Sequence, residues 1–160
     1  MLAGIAPGDR VLDMDTGSGV NAILAATRGA HILAVDISAA ADEAARANLA
    51  RNSVSELVEV KRSDIFSDVD GSFDWIVFDP AFRWFKPRSL MESVMADEGY
   101  QALTRFFRDA RSHLLPNGRK LVFFGTSGDL GYLKRLMIEE GFRWDVAARD
   151  ELVRDGWKVD

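Results

Sequence analysis

The chain has no cysteine among its 160 residues, which excludes disulfides, thiolate metal sites and a cysteine nucleophile. Histidine is nearly as scarce. His31 and His113 are the only two, they lie far apart, and neither reads as a metal ligand, so no metal is expected. No apolar run approaches the ~18 residues of a membrane span, and MLAGIAPG is too short and uncharged for a signal peptide. The expected address is the cytoplasm, with no membrane partner. Positive charge is in deficit, with 20 Lys+Arg against 25 Asp+Glu and a net charge of -5. That balance argues mildly against a protein whose main task is gripping phosphate backbones, but leaves room for a local basic patch. Internal repeats, low-complexity tracts and linkers are also missing. What remains is a 48 % hydrophobic chain long enough for one domain with a substantial core.

Short apolar runs alternate with stretches of helical period. Strands are expected over Arg10 to Met14, 31 to 36, Val58 to Lys61, Asp74 to Phe78, Lys120 to Gly125 and Phe142 to Ala148. Ala22, Ile23 and Ala26 keep helical spacing as far as Gly29. Ser38 is placed to cap a helix to about Arg51, with Ala41, Ala45 and Leu49 on one face. Tyr100, Leu103, Phe106, Phe107, Ala110 and Leu114 mark a third helix, and Pro116-Asn117-Gly118 reads as a turn. Ser127 is expected to cap a fourth helix carrying Leu130, Leu133 and Met137, which Gly141 ends. Such alternation predicts an α/β fold: a mainly parallel, doubly wound sheet with right-handed crossovers and helices on both faces. Trp75 and Trp144 are expected in core or sheet positions. Residues 81 to 98 lack a regular pattern, and loops of that length are usually functional or disordered.

The run VLDMDTGSGV, residues 11 to 20, has the order strand, glycine turn, helix. It brings backbone N–H groups to the carboxyl end of a strand, where open α/β sheets bind ligands. Gly17 and Gly19 allow close backbone approach. Asp13 can hydrogen-bond the turn, and Asp36, ending the run HILAVD, has acceptors enough for a ribose diol. Two nucleotide-type cofactors fit this pattern. Gly17-Ser18-Gly19-Val20-Asn21-Ala22 matches G-x-G-x-x-A with Asp36 about 20 residues on, as in an NAD-dependent oxidoreductase. Against that reading, nothing downstream supplies a hydride-transfer acid such as a Tyr-Lys pair.

VLDMDTGSG, AVDIS, SDIF and FDPAF, in that order, resemble the motifs of class I S-adenosylmethionine-dependent methyltransferases over about residues 9 to 148. Asp79-Pro80-Ala81-Phe82 is similar to the Asn/Asp-Pro-Pro-aromatic string of the amino methyltransferases, above all the HemK-type glutamine methyltransferases. The resemblance implies a Rossmann-like fold and S-adenosyl-L-methionine as cofactor. It implies that Asp13, Asp15, Gly17 and Gly19 line the methionine part, and Asp36 and Ile37 the ribose side. Asp64 and the Ile65 N–H would face the adenine. It implies N-methylation of an amide or exocyclic amine, with the Asp79 side chain and the Pro80 carbonyl accepting from the substrate –NH2 and Phe82 packing on a flat substrate. The acceptor would be a protein glutamine side chain, or a nucleic-acid or small-molecule amine.

Two positions depart from that pattern: Asp15 replaces the first turn glycine and Ala81 the second proline. Asp15 brings negative charge beside the cofactor's carboxylate, so Asp15→Gly is expected to tighten binding. Ala81 loosens the substrate loop, because proline fixes φ and alanine does not. A catalytically weakened, methyltransferase-like binding module is therefore the alternative. Arg83, Trp84, Phe85, Lys86 and Arg88 interleave aromatics with positive charge, in the manner of a lid over a protein substrate or a stacking surface for nucleobases. Residues 1–160 read as a single core domain that could be truncated at both ends, with an incomplete sheet edge open to a homodimer.

Overall fold

The computed structural model describes residues 2, 4–86, 88 and 96–148. Five parallel strands form one sheet: β1 (Arg10–Met14), β2 (His31–Asp36), β3 (Val58–Arg62), β4 (Phe73–Phe78) and β5 (Leu114–Val122), in the order β3-β2-β1-β4-β5. Between them run α1 (Val20–Ala26), α2 (Ala39–Arg51) and α3 (Gln101–Asp109), and α4 (Leu130–Glu139) follows β5. The predicted doubly wound architecture is the observed one. Side chains alternate across the sheet. Val11, Ile32, Ala34, Val60 and Val77 pack with Ala22, Ala25, Ala45 and Leu49 of α1 and α2. Leu12, Met14, Val35, Ile76 and Phe78 pack with Leu103, Phe106, Phe107, Leu133 and Leu136 of α3 and α4. Strands covered on both faces read as near-continuous apolar runs, which is why they were visible in the sequence.

Local chemistry sets the boundaries. The Ser38 hydroxyl accepts from the Ala41 N–H at the start of α2. Gly141, at φ 69, ends α4 with backbone bonds from Gly141 to Ile138 and from Phe142 to Met137, a Schellman-type close.

Five expectations need correction. Pro116-Asn117-Gly118 lies inside β5: Phe73 pairs with Leu114 but Trp75 pairs with Arg119, so the triplet forms a bulge. A Cβ on Gly118 would stand 2.7 Å from the Phe73 carbonyl oxygen, which fixes glycine there. The strand begins at Leu114 rather than Lys120 and ends at Val122 rather than Gly125. Asp129, not Ser127, caps α4, its carboxylate accepting from the Tyr132 N–H at 2.9 Å. Residues 142–148 form no strand, and Trp144 is 44% exposed, whereas Trp75 is half-buried in β4. The expected last strand near Trp157 lies outside the described residues.

Candidate active site

The strand order reverses between β1 and β4, and the crevice beyond the carboxyl ends at such a switch point is where open sheets hold ligands. Asp13 sits one residue before the end of β1, Asp36 ends β2, and Asp79 follows β4. Asp13 is buried. Its Oδ2 accepts from the Thr16 hydroxyl at 2.5 Å and from the Ala22 N–H at 3.0 Å, tying the glycine turn to the first turn of α1. Its Oδ1 is buried without a hydrogen-bond partner among the described residues. Burial raises its pKa to about 7, the Thr16 and Ala22 bonds oppose the rise, and the Asp79 and Asp36 charges add to it.

Asp36 holds the same turn from the neighbouring strand. Its Oδ2 accepts from the Gly17 N–H at 2.9 Å and its Oδ1 from the Ser38 N–H at 2.8 Å. Each carboxylate oxygen carries a second lone pair, so acceptors remain for a ligand diol. The two turn glycines have separate reasons. Gly19, at φ 83, would put a Cβ 3.3 Å from Ala45, so α1 and α2 need it to approach each other. Gly17, at φ 53, has open space where a Cβ would point, so its glycine leaves room on the ligand side.

Asp15 also adopts a left-handed conformation, φ 58, at the position where the family pattern has glycine. Aspartate tolerates that region better than most residues, at some strain. The side chain is exposed at the mouth of the cup, yet protein packed on its inner side pushes its pKa up to about 7. Nearby Asp36, Asp79 and Asp13 push the same way. Contact with water screens part of that repulsion. Asp79, exposed just beyond β4, is also shifted upward, by partial desolvation. Four carboxyls thus converge on one mouth.

The remaining expected residues are placed less uniformly. Ile37 is 60% exposed, leaving an apolar side chain free at the tip of β2. Ile65 is buried and left-handed at φ 54, an unusual conformation for a β-branched residue and a sign of local constraint. The Asp64 carboxylate does not stand free: Arg105 of α3 holds it through both oxygens, at 3.1 and 2.9 Å. Pro80 is buried, while Phe82 is half-buried, its ring against Phe124 and over Gly125, where a Cβ would approach it to 2.9 Å. The neck of the loop after it is pinned, because Asp97 N–H donates to the Arg83 carbonyl and Gly99 N–H to that of Trp84. Trp84 is 63% exposed beside this neck. Part of the expected lid (87 and 89–95) lies outside the described residues.

Two contributors went unread in the sequence. Tyr100 looked like the first apolar residue of a helix. It is instead a buried left-handed hinge whose hydroxyl donates to the Phe82 carbonyl and accepts from the Asp129 N–H, joining the loop to α4. Asp97 caps α3 across that hinge, accepting from the Ala102 and Leu103 N–H groups. Its spacing ahead of the helix matches no simple capping rule, so only the hinge reveals it. His113 is structural, stacked on Phe66 with centroids 4.5 Å apart. A separate open cleft of about 370 Å³, lined by Arg10, His31, Glu56, Glu59 and Phe73 among others, opens at the amino ends of the strands, away from the acidic mouth.

Residues 3–143 match the family model described as "Methyltransferase small domain". The chain is 34% identical over 135 residues to the ribosomal protein uL3 glutamine methyltransferase of Bradyrhizobium diazoefficiens, covering 76% of this chain and 42% of that protein. It is 36% identical over 115 residues to the ribosomal RNA small subunit methyltransferase C of Chromohalobacter salexigens, covering 72% of this chain and 31% of the relative. Among solved structures, the ribosomal protein L11 methylase of Lactobacillus delbrueckii subsp. bulgaricus superposes with a TM-score of 0.75 at 26% identity. That match covers 93% of this chain and 68% of the other. The chain thus spans well under half the length of the two curated relatives.

Proposed function

Because the chain belongs to the methyltransferase small domain family, we propose that it transfers the methyl group of S-adenosylmethionine to an –NH2 nitrogen of a macromolecular substrate. The observation that carries the reading is the mouth of four carboxyls over an open Gly17 at the strand-order reversal. The residues fit an adenosyl sulfonium. Asp36, with spare acceptors, would take the ribose hydroxyls, and Ile37 offers an apolar surface beside it. Gly17 leaves room for the methionine part, and Asp13, closed off from solvent behind it, holds the turn whose backbone the ammonium end would meet. The Asp64 side chain can serve an adenine amine only through lone pairs that Arg105 leaves unused, while Ile65 contributes its backbone N–H. The cofactor supplies a methyl cation equivalent. The reaction is an in-line displacement, so positioning and exclusion of water can supply much of the rate.

On the substrate side, the Asp79 carboxyl and the Pro80 carbonyl accept from the –NH2 group and turn the nitrogen lone pair toward the methyl. This is the role that the HemK-type likeness of Asp79-Pro80-Ala81-Phe82 implies. Phe82 is anchored by Phe124, Gly125 and the Tyr100 hydroxyl, which gives the substrate wall a fixed position despite Ala81. A protein glutamine is the favoured acceptor and an exocyclic nucleobase amine the next, with Trp84 available at the loop neck for either. The family membership displaces the dinucleotide-oxidoreductase alternative. A second reading, a scaffold with weakened cofactor binding, is favoured by one observation, the Asp15 carboxyl in a glycine position. Incubation with methyl-labelled S-adenosylmethionine and candidate ribosomal proteins or RNA is expected to label one of them. Label must vanish in Asp79→Ala. Full labelling by Asp79→Ala would contradict the assigned role.

A further inference from the structure

Among the four carboxyls of the acidic mouth, Asp15 and Asp79 are the two that the turn does not use, and of these Asp15 lies within the turn itself. Asp13 and Asp36 hold the backbone of residues 16–22 and of Ser38, whereas no described hydrogen bond to the backbone engages the Asp15 side chain. Of the charged groups, Asp36 of β2 bears on it most, by its charge and by a side-chain hydrogen bond between the two carboxyls, followed by Asp79 after β4 and Asp13 of β1, and all three are acidic. The described residues thus set no cation against Asp15, and a ligand lying over Gly17 meets a field that grows more negative as these carboxyls ionise. The fully buried Asp13 Oδ1 beneath the same mouth also lacks a hydrogen-bond partner among the described residues.

We propose that Asp15 is a specificity-determining residue that makes this site favour the cationic sulfonium cofactor over the neutral thioether left after transfer. The inference rests on the cofactor assignment above. In the transfer, the carbon–sulfur bond breaks with its electron pair kept by sulfur, while the substrate nitrogen lone pair forms the new carbon–nitrogen bond and that nitrogen then loses a proton. Sulfur therefore goes from one positive charge to none, and the rest of the ligand is unchanged. A glycine at position 15 would treat the two forms alike. An aspartate repels the carboxylate common to both but attracts only the charged sulfur, so its presence weakens product binding more than cofactor binding. A unit charge several ångströms away in a partly wetted cleft corresponds to roughly three- to tenfold discrimination.

The discrimination should depend on pH. With carboxyls that titrate near neutrality, a cationic ligand favours their ionised form, so its affinity rises from pH 6 to pH 8 while that of the thioether stays level or falls. Isothermal titration of S-adenosylmethionine and S-adenosylhomocysteine tests this in the wild type, Asp15→Asn and Asp15→Gly. Asparagine and glycine both accept the left-handed backbone, so both variants keep the turn. The ratio of the two dissociation constants is expected to fall about three- to tenfold in both variants, and the wild-type ratio to rise with pH. A ratio unchanged by substitution overturns the proposal and leaves the cofactor assignment standing, whatever its pH dependence, because Asp13 titrates in the same range. So does binding of both ligands by Asp15→Gly but neither by the wild type, which would make Asp15 an excluder. Failure of every protein to bind either ligand overturns the cofactor assignment itself, and this proposal with it.

Discussion

The face of the sheet under α1 and α2 is packed with alanine, and the face under α3 and α4 with phenylalanine. On the first, Ala22, Ala25, Ala26, Ala30, Ala34 and Ala45 bring helix and strand backbones close enough that Gly19 must lack a side chain. On the second, Phe66, Phe73, Phe78, Phe106 and Phe107 hold the layers apart with large side chains and stack on one another. Both faces bury ionisable groups, with opposite outcomes. The alanine face carries its carboxyls to the carboxyl ends of the strands, at the reversal of strand order. The phenylalanine face buries the Lys120 amine among Phe106, Phe107 and Phe142, where it has no hydrogen-bond partner among the described residues. Close packing on one side is what sets the position of the acidic mouth. The aromatic face on the other side accommodates a bulge and the unpaired Lys120 amine.

The largest expected effect breaks the aromatic face. Phe106 is fully buried against Phe66, Phe78 and Phe107, and Phe106→Ala should cost about 3–5 kcal/mol in a urea titration. Its residual folded population should bind cofactor normally. Gly19→Ala strikes the other face, forcing a Cβ onto Ala45 at a left-handed position. It should cost about 1–3 kcal/mol and, unlike Phe106→Ala, weaken cofactor binding in the same titration series. Lys120→Met replaces an amine whose pKa burial lowers to about 6 and should stabilise the fold by about 1–2 kcal/mol at pH 7.

pH sharpens the contrast further. The folded Lys120 holds its proton less tightly than the unfolded chain does, so its penalty is full below about pH 6 and lifts as pH rises toward 10.5. Asp13 is the reverse: with its pKa raised from 3.8 to about 7, its contribution is full below pH 3.8 and is lost as pH rises through 7. Asp15, also raised from 3.8 to about 7, adds to that loss, so the ligand-free protein should show a stability minimum near pH 7, and Lys120→Met should remove its alkaline limb. The smallest effect is Asp15→Gly, which relieves a left-handed aspartate and should raise stability by about 0.5–1 kcal/mol.

What could be read from the chain follows the same division. The runs ending in Asp13, Asp36 and Phe78 were legible because a strand buried on both faces leaves an apolar run and then an acid at its tip. The bulge of β5 was not, because Pro116-Asn117-Gly118 has the same composition in a turn and in a bulge, and only the pairing of Leu114 with Phe73 separates them. The Tyr100 hinge hid inside a helical period, since a left-handed tyrosine leaves no mark on spacing. Burial of Lys120 depends on which rings close over β5 from α3 and from Phe142, a tertiary fact. Likewise, SDIF falls at a turn, but the Arg105 grip on Asp64 spans residues far apart in the chain.

The central claim is that the tips of β1, β2 and β3 hold the adenosyl ligand. Backbone amide shifts recorded during titration with S-adenosylhomocysteine test it most directly. The account predicts changes concentrated at Asp15, Thr16, Gly17, Ile37 and Ile65, with the amides of His31, Glu56 and Glu59 at the amino-end cleft unmoved. Saturable shifts at that cleft with none at Gly17 would contradict it.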